Sequence, residues 1–311
     1  MCGIFGYTIL YSKEVIMSNT GLVKAWLNKN DEFYTRYEDV EKECSLYSKQ
    51  FEDKIIYLPM DNKDSAFWKY FINNFHDFKL KKLVASHLSS DKYSYILTYD
   101  GYNISKTEME DNGDFFKETA QSILETCDIV VSNPPFSLER DIICSIVKKN
   151  KDFLLIAAET LSSRKEIFLL FKENKIRFGK NSVYYFVQPD GQSYRIGNVK
   201  WLTTLESPNE KKVIPTTTLQ EKIYYDNYDA IEISKTKDIP SDYFGVMGVP
   251  ITYLKYHNPD LFDILGIACS SSKSQKLYGE VAYHPTERDK SGDPMINGKR
   301  KFSRVFIKRK T

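Results

Sequence analysis

The chain has 311 residues, of which 41% are hydrophobic and 28% are charged, with a formal net charge of +2. This composition predicts a soluble globular protein, and it excludes a membrane protein because no stretch approaches the ~18 apolar residues of a membrane span. A charge so close to balance means that a polyanionic partner must be met by a local basic patch. Five cysteines without metal-ligand spacing, and no export signal, predict reduced thiols in the cytoplasm.

The first residues, MCGIFGY, are similar to the start of N-terminal-nucleophile glutamine amidotransferases. In that family the thiol at the position of Cys2 attacks a glutamine amide after removal of the initiator methionine. The sequence has neither the Arg/His-Arg pair nor the Asn-Gly-Glu segment with which such domains bind glutamine. We therefore disfavour this interpretation and expect residues 1–30 to form an N-terminal extension.

From residue 31 to about 205, short β-branched or aromatic runs alternate with segments of helical periodicity. The predicted helices lie near 40–51, 65–75, 119–125, 138–147 and 163–173. The predicted strands are 54–58, 82–86, 128–131, 152–158, 183–187 and 199–205. The Asp100-Gly101 pair between 93–99 and 102–107 predicts a tight turn, hence a β-hairpin inserted into this alternation.

The alternation predicts an α/β fold with a Rossmann-like, doubly wound and largely parallel sheet. From about residue 206 the sequence becomes rich in Pro, Gly, Asn and Tyr, which predicts a less regular C-terminal part over 206–311. Neither an internal repeat nor a low-complexity linker separates the two parts.

The stretch CDIVVSNPPFSLER, residues 127–140, carries the most informative pattern. The apolar run Asp128–Val131 predicts a buried strand, which Pro134 and Pro135 must end because they fix φ twice and remove two backbone donors. The carboxyl end of a strand in an open α/β sheet is where such folds place their chemistry. A stiff turn at this position would present Asn133 and Phe136 to a cleft.

Such a turn suits methyl transfer to an exocyclic amine of a base, whose lone pair is delocalised into the ring. The side-chain oxygen of Asn133 and the carbonyl of Pro134 would accept the two amine N–H groups, so that the nitrogen can attack the sulfonium methyl of S-adenosylmethionine. Phe136 would stack on the base, which must leave the duplex to be reached. Neither a covalent protein intermediate nor a metal is required.

SNPPFS resembles the (D/N)PP(F/Y) motif of amino-methylating DNA methyltransferases, and the chain from about Asp31 onward resembles the EcoRI-type adenine-specific DNA methyltransferases. Further segments match that family in order: DEFYTRY, YLPMDNKDSAFWKYF, SHLSS, NGDFF, KWLTTL, YDNYDAIEISKTKDIPSDYFGVMGVPITYL and NGKRKFSRVFIK. The resemblance implies S-adenosylmethionine as methyl donor, double-stranded DNA as substrate, and a cognate restriction endonuclease acting separately. It implies catalytic roles for Asn133, Pro134, Pro135 and Phe136. It implies cofactor contacts by Phe33, Tyr34, Thr35, Asp61, Ser65, Phe67, Asp114 and Phe115.

Two departures from the general methyltransferase pattern leave questions open. The sequence has no GxGxxG-like loop, so the cofactor contacts depend on the family resemblance alone. Where many methyltransferases carry a ribose-binding carboxylate, this chain has Ser86-His87, and His87 is expected to be an ordinary loop histidine. Helix N-caps at strand ends are the alternative role for Asp61 and Asp114, and the matched order of the motifs favours the cofactor role.

Seven of the twelve residues from Lys299 to Lys310 are basic, and the apolar residues among them predict an ordered strand. We expect these seven side chains to contact the DNA backbone: Lys299, Arg300, Lys301, Arg304, Lys308, Arg309 and Lys310.

The sequence is therefore interpreted as an adenine-N6 DNA methyltransferase, with a catalytic part over 31–205 and a target-recognition, DNA-contacting part over 206–311. Cytosine-N4 methylation of DNA, methylation of an RNA or protein amine, and a catalytically dead nucleic-acid-binding module are the alternatives.

Overall fold

The computed structural model describes residues 34–89, 94–187, 193–206, 212–269, 281–289 and 291–311. These residues form a mixed α/β fold that contains a nine-stranded mixed sheet, so the predicted fold class is confirmed. The chain divides into two compact units that interleave along the sequence. The first draws its described residues from 34–40, 51–151 and 185–196, and the second from 41–50, 152–184 and 197–311.

Five α-helices, α1 to α5, lie in the described parts of the chain: Tyr37–Cys44, Ala66–Asn73, Glu118–Thr126, Glu139–Lys148 and Lys165–Lys172. No helix of these parts is long and apolar enough to cross a membrane. The described strands are β1 Tyr34–Thr35, β2 Ile55–Pro59, β3 Lys82–Ser86, β4 Tyr95–Tyr99, β5 Ile104–Glu108, β6 Ile129–Ser132, β7 Asp152–Ala158, β8 Arg177–Val187, β9 Ser193–Thr203, β10 Ile231–Glu232, β11 Val246–Pro250, β12 Phe262–Ala268, β13 Met295–Ile296, β14 Lys299–Arg300 and β15 Arg304–Arg309.

In the first unit, β2 lies between β6 and β3 and is parallel to both. Their side chains are buried on both faces, as the uninterrupted apolar sequences require. Because the three strands run in the same direction, their carboxyl ends meet at one edge of the sheet. This edge positions the site described below.

The predicted hairpin is present as β4 and β5, which continue the sheet beyond β3 in antiparallel pairing. Gly101 has φ +97°, a conformation that glycine adopts without strain and that a tight turn requires. The predicted parallel pairing is present among β6, β2 and β3, while the hairpin and the antiparallel pairs β1–β8 and β7–β9 make the sheet as a whole mixed.

The second unit contains the antiparallel pair β7–β9 and a separate four-stranded sheet in the order β10-β11-β15-β12. The basic stretch predicted to be a strand is β15, and that prediction is confirmed. It lies between β11 and β12, antiparallel to both, with Val305, Phe306 and Ile307 completely buried. The predicted functional parts, 31–205 and 206–311, remain predictions.

Candidate active site

A cavity of about 580 Å³ opens in the first unit, where β2, β3 and β6 end. This volume is in the range of small-molecule binding sites. Its lining comes from four segments of the chain: Tyr34, Thr35 and Tyr37; Met60 to Asn62, Asp64 to Phe67 and Lys69; His87 and Leu88; and Ser132 to Phe136. The predicted catalytic turn and most of the predicted cofactor contacts are therefore brought together.

The turn after β2 replaces the glycine-rich loop that the sequence lacks. Met60 has φ +59°, in the left-handed region that glycine usually occupies, and it directly precedes Asp61. The backbone N–H of Asp61 donates to the carbonyl of Ser86 at 2.9 Å, which ties the ends of β2 and β3 together. A strained residue held by its surroundings beside a cavity is typical of a functional site.

The Asp61 carboxyl is in an environment that disfavours its charged form. Burial raises its pKa to about 7, although hydrogen bonds from Ser65 and from the Asn62 backbone oppose the rise. The Asn62 N–H donates to Asp61 Oδ1 at 3.2 Å. An added cation would restore the charged form, so this side of the cavity suits a positively charged ligand.

Ser65 and Phe67 each have a structural role in addition to lining the cavity. Ser65 is the N-cap of α2, its Oγ accepting a hydrogen bond from the Trp68 N–H at 3.0 Å, and it also lines the cavity. Phe67, on the first turn of α2, is 4% exposed and contributes both to the core and to the cavity wall.

The end of β3 places His87 on the cavity. Its ring stacks on Tyr95, with ring centroids 4.7 Å apart and planes 6° from parallel, and its buried Nδ1 has no hydrogen-bond partner. Burial lowers the pKa of His87, and nearby Lys106 lowers it further, so the imidazole is neutral at neutral pH. Nδ1 therefore lacks the hydrogen bond that a satisfied loop histidine would make, and a functional role for His87 is a prediction. Thr35 Oγ1, on the same cavity, is also buried without a partner.

The Asn-Pro-Pro-Phe turn is fixed at both ends. Ser132 Oγ donates to the Pro59 carbonyl at 3.2 Å, which joins the ends of β6 and β2. The Leu138 N–H donates to the Pro135 carbonyl at 2.8 Å, just before α4 begins. The four residues of the turn all line the cavity, and the two prolines are buried.

Two predicted cofactor contacts lie apart from the cavity lining. The Asp114 carboxylate accepts a hydrogen bond from the Phe116 N–H at 2.9 Å, and Phe115 is buried in the core. The segment that contains Asp114 and Phe115 is hydrogen-bonded to the residues after β3, because the Ser89 N–H donates to the Asn112 carbonyl at 3.1 Å. A Cβ on Gly113 would lie 2.1 Å from the His87 carbonyl oxygen. Phe33 lies outside the described residues.

Sequence reasoning did not identify several lining residues, which flank the predicted ones: Tyr37, Met60, Asn62, Asp64, Ala66, Lys69, Leu88 and Ser132. Each lies within three residues of the carboxyl end of a strand, or in or just before the first turn of α2. Extending each predicted strand end by a few residues would have found Met60, Asn62 and Leu88.

The structure corrects one predicted DNA contact in the second unit. Arg304 is buried and forms an ion pair with Glu232 at 2.6 Å, so its charge is used inside the protein. Arg309 donates to the Ser241 carbonyl, and Lys310 is 3.4 Å from the Asp263 carboxylate. Lys299 and Lys308 are exposed, and Lys301 is half-buried.

An Asn-Pro-Pro-Phe turn at the carboxyl edge of an α/β sheet, on a cavity that also holds a carboxylate, defines an amino-group methyltransferase. Comparison with known proteins identifies the kind. The family model for the adenine-specific methyltransferase EcoRI matches residues 21–310, and the chain belongs to this family. It is an adenine-specific DNA methyltransferase of the kind found in restriction–modification systems.

Curated relatives match over nearly their whole length. The type II methyltransferase M.EcoRI of Escherichia coli is 38% identical, with 94% of this chain and 97% of the relative covered. The type II methyltransferase M.MpnI of Mycoplasma pneumoniae is 34% identical, with 91% and 96% covered. A type II methyltransferase of Mycoplasma genitalium is 33% identical. No solved structure matches the chain.

Proposed function

We propose that this enzyme transfers a methyl group from S-adenosylmethionine to N6 of an adenine flipped out of double-stranded DNA, in the cytoplasm, as the modification enzyme of a type II restriction–modification pair. The observation that carries the proposal is the position of Asn133 to Phe136 on the cavity that Asp61 also lines. The family assignment favours adenine over cytosine, RNA or protein amines, and it disfavours a catalytically dead module.

The residues of the cavity fit this cofactor. S-adenosylmethionine, when bound, supplies a methyl group on a positively charged sulfur. The two hydrogen bonds to Asp61 do not fully offset the burial of its charge, so Asp61 would hold a cationic group of the cofactor. Thr35 and His87 would complete their hydrogen bonding on it, and we assign the open role of ribose partner to the neutral His87 imidazole. Tyr34, Ser65 and Phe67 complete the wall.

The turn residues would prepare the amine. The Asn133 side-chain oxygen and the Pro134 carbonyl accept its two N–H groups, which fixes the nitrogen lone pair toward the methyl donor. Phe136 stacks on the flipped base; its ring already packs edge-on against Phe186, with centroids 6.4 Å apart, so its plane is set. The buried prolines exclude water from this side of the site.

Asn133→Ala tests the proposal. The variant should lose methyl transfer and keep cofactor affinity, because Asn133 orients the amine only once the base is in place. Methylation-aware sequencing and mass spectrometry of digested DNA from expressing cells should detect N6-methyladenine for the wild type and not for Asn133→Ala. Asn103→Ala, an exposed asparagine beside the β4–β5 turn, is the matched control and should behave as wild type. N4-methylcytosine from the wild type would overturn the base assignment, and unmodified DNA would overturn the function.

The contribution of 206–311 to DNA binding is part of the same proposal. Lys299, Lys301 and Lys308 remain proposed contacts to phosphates, and so does the exposed Arg300, which forms an ion pair with Asp293 at 2.8 Å; Arg304 is no longer proposed as a contact. The cognate endonuclease would recognise the sequence that this enzyme methylates. A nuclease gene beside this one, encoding an activity that cleaves only unmethylated DNA, would identify that partner.

A further inference from the structure

Phe302 is the most exposed large apolar side chain among the described residues. It is 90% exposed, directly follows three basic residues, Lys299 to Lys301, and precedes β15. An aromatic ring left in water forgoes the stabilisation that burial would supply. Its three basic neighbours also place positive charge beside this exposed ring.

The hairpin before Phe302 is rigid. Strands β13 and β14 pair antiparallel through a two-residue turn, Asn297 and Gly298, with φ of +50° and +70°. The Asp226 carboxylate accepts hydrogen bonds from both turn N–H groups, at 3.0 and 2.7 Å. The Lys301 N–H donates to the Pro294 carbonyl at 2.8 Å, so the backbone is held up to the residue before Phe302.

The backbone at and after Phe302 is held by Arg304. Its Nη1 donates to the Phe302 carbonyl at 3.1 Å and to the Ser303 carbonyl at 3.3 Å. Its Nε and Nη2 bind the Glu232 carboxylate, which also accepts a hydrogen bond from Tyr225. The planar fork of a guanidinium fixes all these partners at once. Phe302 is thus an exposed ring on an immobilised backbone.

We infer that Phe302 is a wedge that inserts its ring into the base stack of the bound DNA and helps to open the stack for methylation. The inference rests on the proposed function. Apolar side chains that enter a base stack are carried by rigid elements beside cations that bind the flanking phosphates. Lys299 and Lys301 are such cations, whereas Arg300 is already bound to the Asp293 carboxylate at 2.8 Å. The ring then stacks on bases, which have an apolar face whatever their sequence.

The first test compares three variants on a duplex that contains the sequence methylated by the wild type. Phe302→Ala should slow single-turnover methylation about 10- to 100-fold, since unstacking a base costs a few kcal/mol. It should also abolish most of the fluorescence increase from 2-aminopurine at the target position. Phe302→Trp should stay within about threefold of wild type, because the larger ring also stacks. Tyr102→Ala removes a similarly exposed ring, 87% exposed, and should change nothing.

The second test supplies a base that is already unstacked. On a duplex with an abasic site opposite the target adenine, Phe302→Ala should recover to within about threefold of wild type, because the cost that the wedge offsets is largely absent. Equal rates for Phe302→Ala and wild type on the normal duplex would overturn the wedge, and so would an equal defect on both duplexes. A wild type that methylates neither duplex would instead overturn the proposed function.

Discussion

At the scale of single residues, the proposed cofactor contact of Asp61 would link proton binding to cofactor binding. Burial raises its pKa to about 7, so the carboxyl is mostly neutral below that pH and mostly charged above it. We expect the affinity for S-adenosylmethionine to rise with pH from 6 to 8, by up to about tenfold per pH unit below the pKa, because only the charged form attracts a cation. Titration calorimetry over this range measures it directly.

Asp61→Asn should weaken binding at pH 8 and remove most of the pH dependence. Asp77→Asn, at an exposed aspartate of the same unit, is the control and should leave the profile unchanged. A wild-type affinity that stays constant between pH 6 and 8 would contradict the assignment of Asp61 to the cation. The empty protein should show the opposite trend: its folded state binds the proton more tightly than the unfolded chain, so Asp61 lowers stability as pH rises from about 4 to about 7.

The sequence indicated the strand ends on which Asp61 and Asn133 lie, since apolar runs followed by polar or proline residues are local signals. It could not indicate the left-handed conformation of Met60, because a non-glycine residue adopts it only when its surroundings impose it. Nor could a count of basic residues show that Arg304 is buried. Its partner, Glu232, lies 72 residues away in the sequence.

At the scale of elements, the segment containing Gly113 packs directly on the end of β3. Gly113 has φ +78°, and an added Cβ would meet the His87 carbonyl at 2.1 Å. We expect Gly113→Ala to lower the free energy of unfolding by at least about 2 kcal/mol and to weaken cofactor binding, since backbone or His87 must move. Urea unfolding and calorimetry measure the two effects.

Gly197→Ala is the matched control, because nothing lies within 4 Å of the added Cβ and its φ is not in the left-handed region. It should change stability by no more than about 1 kcal/mol. Equal stability of the two variants would show that the segment can move away from β3 without cost.

The ion pair of Glu232 and Arg304 holds β10 to β15 and the Phe302 backbone to both. The side chains are 2% and 10% exposed. We expect Arg304→Met to lower the free energy of unfolding by about 3–5 kcal/mol, because it leaves the Glu232 carboxylate buried and uncompensated. The double variant Arg304→Met/Glu232→Leu should lower it less, because no buried charge remains. Urea unfolding at pH 7 should order the variants in this way. Lys79→Ala, which breaks the exposed pair with Glu52, should cost about 0–1 kcal/mol.

The Glu232–Arg304 pair should also make the free energy of unfolding depend on pH in the acidic range. Burial alone would raise the pKa of Glu232, but its hydrogen bonds with Arg304 and Tyr225 hold it below the usual value. The stabilisation of the folded state by the charged Glu232 is therefore fully present above the unfolded-state pKa of about 4.3, and it is lost as pH falls through the lower pKa of the folded state. Arg304→Met should lose less stability than wild type over that acidic interval, and an equal loss would contradict this account.

Local signals predicted the β4–β5 hairpin, because an Asp-Gly turn determines how its flanking strands pair. The four-stranded sheet of the second unit had no such signal. Its strands pair between segments that are far apart in the sequence, and β10 contributes only two residues. Which of these distant strands pair depends on how their side chains are buried in the folded protein, and the residues next to each strand in the sequence do not contain that information.

At the scale of the whole molecule, the net charge is only +2, so we expect DNA to bind at a few local basic patches rather than over a broad positive surface. Replacing Lys299, Arg300 and Lys301 by glutamine should flatten the dependence of log affinity on log salt by about 0.9 for each phosphate that the variant no longer neutralises. The same change at Lys308, Arg309 and Lys310 should have a smaller effect, because two of these three side chains, Arg309 and Lys310, already have partners in the protein, whereas in the first triple only Arg300 has one within the described part of the chain, Asp293. Binding across a salt series compares the two triple variants.

Glutamine at Lys79, Lys81 and Lys82, in the first unit, is a control of equal charge change and should leave the slope close to that of wild type. The ordering would be contradicted if the Lys308 to Lys310 variant flattened the slope more. An unchanged slope in both C-terminal variants would place the DNA-contacting surface elsewhere on the molecule.

The position of β15 has a consequence for the order of biosynthesis. Ribosomes deliver β10, β11 and β12 first, yet β11 and β12 are joined only by a strand that emerges after them. Until residue 309 has left the exit tunnel, both neighbours keep an open edge, and Glu232 has no counterion. A nascent chain that stalls before Arg304 thus cannot fix the backbone of Phe302, so premature termination yields a product that lacks the proposed wedge rather than one with a weaker wedge.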